Sequence, residues 1–94
     1  MFNSVAIVGC GLIGGSLALA IHRAYPNCKI YGISRRLEHI KQDKKSYCFE
    51  ALATTVTKIP QNIELVIVCT PIETTVETIQ TVAKHVSDQT VITD

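Results

Sequence analysis

The sequence predicts an α/β fold, a parallel sheet with helices on both faces, and three observations carry that prediction. Two near-continuous apolar runs, Ser4 to Val8 and Glu64 to Cys69, have the character of central strands covered on both sides. Each ends in a turn signal and leads directly into apolar residues at helical spacing. Strands alternating with helices favour parallel pairing through right-handed crossovers. The expected spatial order is 3-2-1-4-5.

Taken in order, Met1 to Asn3 lead into the first strand, Ser4 to Val8. Three glycines follow in the spacing G-x-G-x-x-G: Gly9, Gly11 and Gly14. After a strand and opening a helix, this is the dinucleotide-binding fingerprint of a Rossmann-type sheet. Gly9 is expected to make the tight turn, Gly11 to let the backbone approach a pyrophosphate, and Gly14 to let helix and strand pack closely. The helix N-terminus offers unpaired N–H groups and partial positive charge to the phosphates. The helix itself is expected from about Leu12 to Ala24. Ile13, Leu17, Ile21 and Ala24 form its apolar stripe, widened by Leu12 and Leu19, and His22 and Arg23 lie on its solvated side. Pro26-Asn27 ends it.

The second strand is expected at Cys28 to Ile33, where Ile30, Tyr31 and Ile33 favour extended backbone. A polar piece through Lys45 reads as a helix anchored only by Leu37 and Ile40, with Lys41, Lys44 and Lys45 on a solvated face. Cys48 to Thr55 gives a short third strand at the sheet edge, and Val56 to Pro60 a short helical turn or loop. After the fourth strand, Thr70-Pro71 closes the turn, and Pro71 suits the first turn of the next helix because its missing N–H costs nothing there. That helix spans about Ile72 to Val86, with a stripe of Ile72, Val76, Ile79, Ala83 and Val86 and its threonines, Glu73, Glu77 and Lys84 turned outward. Ser87-Asp88 form a turn and Thr90 to Thr93 a fifth strand, so the sheet reads as a Rossmann sheet truncated before its last strand.

Ninety-four residues suffice for one small core, so residues 1–94 read as a single nucleotide-binding domain. A net charge of +1 gives no electrostatic case for a nucleic-acid or membrane partner. The apolar stretch Leu12 to Ile21 is too short and too glycine-rich at its start to span a bilayer. No Lys or Arg precedes it, which argues against a signal peptide. The four cysteines, Cys10, Cys28, Cys48 and Cys69, show neither C-x-x-C pairing nor zinc-site spacing. Reduced thiols in a cytoplasmic protein are the simplest account, with a redox role for Cys10 as the alternative. No metal site is expected.

The cofactor preference is read from the end of the second strand, where an acidic residue about twenty positions past the glycines usually binds the adenosine ribose. That position is Ser34, followed by Arg35 and Arg36. A serine hydroxyl can donate to a ribose 2′-phosphate, and a guanidinium can hold it through paired charge-assisted bonds, whereas an Asp would repel it. The pattern points to NADP rather than NAD; a surface turn that is merely basic is the alternative.

Val8 to Ala18, with its Gly-Leu-Ile-Gly-Gly-Ser wording, resembles the opening of prephenate and arogenate dehydrogenases, enzymes of tyrosine biosynthesis. Gly32 to Arg35, Val68 to Ile72 and Val91 to Asp94 are similar to that family in the same order, so the resemblance spans the chain. It implies an oxidative decarboxylation in which a nicotinamide cofactor takes hydride from C4 of a cyclohexadienol as CO₂ leaves. It further implies that Gly9, Gly11, Leu12, Ile13 and Gly14 hold the pyrophosphate. By the same likeness Ser34, Arg35 and Arg36 hold the adenosine ribose and its phosphate, and Thr70 and Pro71 line the crevice towards the nicotinamide ribose. Family members continue into a segment with a Ser, a His acting as general base, and a helical domain that binds prephenate or arogenate and forms the homodimer. None of these is among the 94 residues, and His22, His39 and His85 match no catalytic position, so no catalytic residue is assigned. The expectation for the chain alone is weak cofactor binding without turnover. Rival readings are the half-domain of another enzyme, such as a 3-hydroxyacid dehydrogenase or pyrroline-carboxylate reductase, a non-catalytic NADP-sensing module, and an α/β domain without ligand.

Overall fold

The computed structural model describes residues 2–9, 12–34 and 48–94, with the backbone alone at Leu12 and Ile72. Gly11, Arg35, Arg36, Cys10, His39 and the polar helix expected through Lys45 lie outside the described residues. The elements in order are β1 (Ser4–Val8), α1 (Leu12–Ala24), β2 (Lys29–Ile33), β3 (Ala51–Ala53), a 3-10 turn (Val56–Lys58), β4 (Leu65–Val68), α2 (Ile72–His85) and β5 (Val91–Thr93). One sheet runs β3-β2-β1-β4-β5, and all four pairings are parallel. The expected order therefore holds. β3 is shorter than Cys48 to Thr55 because only Ala51, Leu52 and Ala53 find partners, opposite Tyr31, Gly32 and Ile33. Cys48 is instead buried, and Phe49 packs against the core from the loop.

Alternation along the strands divides the core into two layers. Val5, Ile7 and Ile30 pack with Ala18, Leu17 and Ile21 of α1 on one face. Ala6, Val8, Val66 and Val68 pack with Val82 and Ile79 of α2, and with Val86 just past its end, on the other. The 3-10 turn and following loop add Val56, Ile59 and Ile63 to the second layer. That loop is tied to the end of α2: His85 Nε2–H donates to the Ile59 carbonyl at 2.8 Å and the Ser87 N–H to that of Gln61 at 2.9 Å. The Thr90 hydroxyl donates to the Ile63 carbonyl at 2.6 Å. His85 is thus a structural strap.

Both helices are rotated from the faces read in the sequence. In α1, Ile13 is 76% exposed and Ala24 is exposed, while Gly14 and Ala18 are buried and Leu17, Leu19 and Ile21 half-buried. Small residues four apart form the line of contact because helix and sheet approach too closely there for larger ones. Arg23 is exposed, but His22 is half-buried. In α2, Val76 is 65% exposed and Ala83 exposed, whereas Val82 is fully buried and Thr75 and Thr78 half-buried. Thr78 returns its hydroxyl to the Thr74 carbonyl at 2.8 Å, so a residue that scores as polar has its hydroxyl satisfied within the helix. Glu73, Glu77 and Lys84 are exposed as expected.

No helix among the described residues is long and apolar enough to cross a membrane. Those residues also contain no cluster of three metal-ligating side chains.

Candidate functional site

α1 leaves β1 towards one face of the sheet and α2 leaves β4 towards the other, so a crevice opens at the carboxyl ends of β1 and β4. Ligands of open α/β sheets bind at such a point of strand-order reversal. Gly9 lies at its centre. Its φ of +87° belongs to the left-handed region, where a side chain is strained. A Cβ on Gly9 would also stand 2.9 Å from the Cys69 carbonyl oxygen and 3.1 Å from the Thr70 methyl. The tight turn expected of Gly9 is therefore present, and there is no space for any other residue.

Three segments meet at this glycine. The Gly9 N–H donates to the Ile33 carbonyl at 2.8 Å, one residue before Ser34, and the Ser34 N–H donates to Ala53 at 3.0 Å. On the other side the Cys69 N–H donates to Val8 at 2.7 Å. The ladder thus runs one residue past the strands and brings the glycine turn, the start of the Ser34 segment and the Thr70-Pro71 turn to one edge. Of the expected site residues, Gly9, Ile13, Gly14, Ser34, Thr70 and Pro71 are described, together with the backbone of Leu12. Gly14 is fully buried behind the turn, where a Cβ would stand 2.7 Å from the Gly9 carbonyl oxygen and 3.2 Å from the Ile7 side chain. Close helix–strand packing, the role read for Gly14, is what these distances describe.

The first turn of α1 contains no acidic residue, so nothing there offsets the partial positive charge of its N–H groups. Ile13 is largely exposed on the same turn and forms an apolar rim. Cys69 flanks the crevice just past β4, and burial pushes its thiol above the ordinary value, which disfavours the thiolate. Thr75, read from the sequence as outward-facing, belongs to this site. Its hydroxyl lies 3.3 Å from the Thr70 hydroxyl and 3.0 Å from the Pro71 carbonyl. Threonine four residues after a Thr-Pro turn's proline, at back-bonding distance along the first helical turn, was the available signal.

A parallel sheet that reverses order at a glycine turn, with a helix N-terminus behind it, defines a nucleotide-binding α/β domain. The chain belongs to the prephenate dehydrogenase family, as its nucleotide-binding domain, whose family model matches residues 17–94. The match begins beyond the glycine turn, so fingerprint and family are separate observations. A prephenate dehydrogenase from Lactococcus lactis subsp. cremoris is 35% identical over 98% of the chain, which spans 26% of that protein. A solved prephenate dehydrogenase from A. aeolicus, in complex with hydroxyphenyl propionate and NAD+, superposes with a TM-score of 0.88 at 26% identity. All of the chain and 33% of that structure are covered. Synechocystis arogenate dehydrogenase superposes with a TM-score of 0.84 at 25% identity, over 97% of this chain and 32% of that one.

Proposed function

We propose that the chain is the cofactor-binding part of an NADP-preferring prephenate or arogenate dehydrogenase of tyrosine biosynthesis. The observation that carries the reading is the convergence on Gly9, whose N–H reaches Ile33 beside Ser34 while a Cβ on it would meet Cys69 and Thr70. A dinucleotide needs a pyrophosphate seat between two ribose seats, and the meeting of the Ser34 and Thr70 segments at Gly9 supports that reading. In this reading Gly9, Gly11, Leu12, Ile13 and Gly14 hold the pyrophosphate at the N-terminal end of α1. Ser34, Arg35 and Arg36 take the adenosine ribose and its 2′-phosphate. Thr70 and Pro71 take the nicotinamide ribose. The bound nicotinamide supplies hydride acceptance, and the residues of this chain orient it and anchor its charge.

The preference for NADP rests on Ser34, Arg35 and Arg36 standing where an acidic residue would favour NAD. The oxidative decarboxylation, a dicarboxylate or amino-acid cyclohexadienol as substrate, a homodimer built through a further helical domain, and a cytoplasmic setting are carried over from the family resemblance as parts of the same proposal. Titration of the chain with NADPH and NADH, read by calorimetry, tests it. Tighter binding of NADPH is expected, and Ser34→Asp with Arg35→Ala should weaken NADPH by about ten- to a hundred-fold while leaving NADH within a few-fold. Equal affinity of the variant and the parent for NADPH would overturn the cofactor assignment. Absence of hydride transfer with both prephenate and arogenate, when this chain is joined to the remaining segment of a family member, would overturn the enzymatic one.

A further inference from the structure

We propose that Thr75 is a positioning residue for the crevice: it fixes the side chain of Thr70 and engages its proton, so that Thr70 meets a ligand only as a hydrogen-bond acceptor. The inference rests on the cofactor reading above and specifies the chemistry of its nicotinamide-ribose end.

The argument is one of proton bookkeeping. The Thr75 oxygen is 3.0 Å from the Pro71 carbonyl and 3.3 Å from the Thr70 carbonyl, and both carbonyls can only accept. A hydroxyl has a single proton, so that of Thr75 is held on a carbonyl. The two hydroxyl oxygens are 3.3 Å apart, within reach of a long hydrogen bond in which either could be the donor. With Thr75 already engaged, the donor is Thr70. Thr70 then keeps only lone pairs for a ligand. Its methyl also faces Gly9, where an added Cβ would stand 3.1 Å from it. The Pro71 carbonyl also takes the Thr74 N–H at 3.0 Å and the Thr74 hydroxyl at 3.1 Å, which closes the turn around the pair. Thr75 is half-buried, so water competes for these bonds less than it would on an open surface.

An acceptor-only Thr70 suits a group that donates, such as a ribose hydroxyl. It disfavours phosphate or carboxylate oxygens, which can only accept. The turn after β4 would thus select for a neutral sugar edge, in contrast with the anion-seeking end of α1 on the other side of Gly9.

The test compares Thr75→Val, which keeps the shape and removes the hydroxyl, with Thr75→Ser, which restores it. Calorimetry of the 94-residue chain with NADPH and with adenosine 2′,5′-bisphosphate, which lacks the second ribose, separates the two ends of the site. Thr75→Val should weaken NADPH about three- to ten-fold, leave adenosine 2′,5′-bisphosphate unchanged, and be rescued by Thr75→Ser. Three-bond couplings to the Thr70 methyl, measured without ligand, should report one χ1 rotamer in the parent and Thr75→Ser and averaging in Thr75→Val. Unchanged NADPH affinity, equal loss of both ligands, or a Thr70 rotamer indifferent to Thr75 would each overturn the proposal. A parent chain with the expected couplings that binds neither NADPH nor NADH would instead overturn the cofactor reading, and the ligand role of Thr75 with it.

Discussion

Replacing Gly14 by alanine puts two well-understood effects in opposition. Within a helix, glycine to alanine normally stabilises by about 1 kcal/mol because the unfolded chain loses freedom and the helix gains a better former. At Gly14 the added methyl would stand 2.7 Å from the Gly9 carbonyl oxygen and 3.2 Å from Ile7 Cγ2. The nearer contact is about 0.7 Å inside ordinary van der Waals separation, and its partner is backbone, not a side chain that can turn aside. Nor can Gly9 retreat easily, because its N–H is bonded to Ile33 at 2.8 Å and its other flank touches Cys69. α1 must therefore lift from the sheet, an overpacking cost of about 2–3 kcal/mol. The net expectation is destabilisation by about 1–2 kcal/mol, a fall in Tm of roughly 5–15 °C for a domain of this size. Thermal and urea unfolding followed by far-UV circular dichroism measure it, since the chain contains no tryptophan. Ala20→Gly on the exposed side of α1 calibrates the propensity part and should cost about 1 kcal/mol. A Gly14→Ala variant more stable than the parent would refute the close approach of α1 to β1.

Two further outcomes test the packing and the thiols. Val82→Ala removes two methyl groups from a fully buried position and should cost about 2 kcal/mol in urea unfolding, whereas Val76→Ala, at 65% exposure, should stay within about 0.5 kcal/mol. The reverse ranking would restore the helix face read from the sequence. Burial raises the Cys69 thiol, and burial followed by the nearby Glu64 charge raises that of Cys28, each above the ordinary 9.0. A raised value in the folded state means the native form keeps its proton while the unfolded form releases it. Their contribution is therefore complete below pH 9 and is lost as pH rises through the folded values. Urea midpoints of the parent should fall above pH 9 more steeply than those of a Cys28→Ala, Cys69→Ala double variant; identical slopes would show that the thiols are not shifted.

The sheet and its order were legible because their signals are strong and local. Val5 to Val8 and Leu65 to Val68 are runs that only a strand covered on both faces accommodates, and the glycine turn names its own neighbours. What hydropathy alone could not reveal was helix rotation. Ile13 and Val76 look like core residues, yet they stand at the crevice end of their helices, while Gly14 and Ala18 line the contact because the backbones lie close. On α2 the error had a different source: Thr75 and Thr78 satisfy their hydroxyls on carbonyls of the preceding turn and so can occupy half-buried positions. The positive-φ turn at Gly9 and the approach of the Ser34 and Thr70 segments to it were legible in the glycine spacing and the strand ends. The contact of Thr75 with Thr70 was not, because it needs the back-bonding of a helical threonine to be weighed against its polarity.

The wiring of Gly9 has a consequence for how such a domain can diversify. The turn is tied to both neighbouring strands by main-chain atoms, from the Gly9 N–H to the Ile33 carbonyl and from the Cys69 N–H to the carbonyl of Val8, the residue before it. Side chains at the ends of β2 and β4 can therefore be exchanged without unpicking the turn. On the roles proposed for Ser34 and Thr70, either could be altered singly while the main-chain bonds that hold the turn stay in place. The glycine itself has no such freedom, which makes it the fixed point around which specificity can drift.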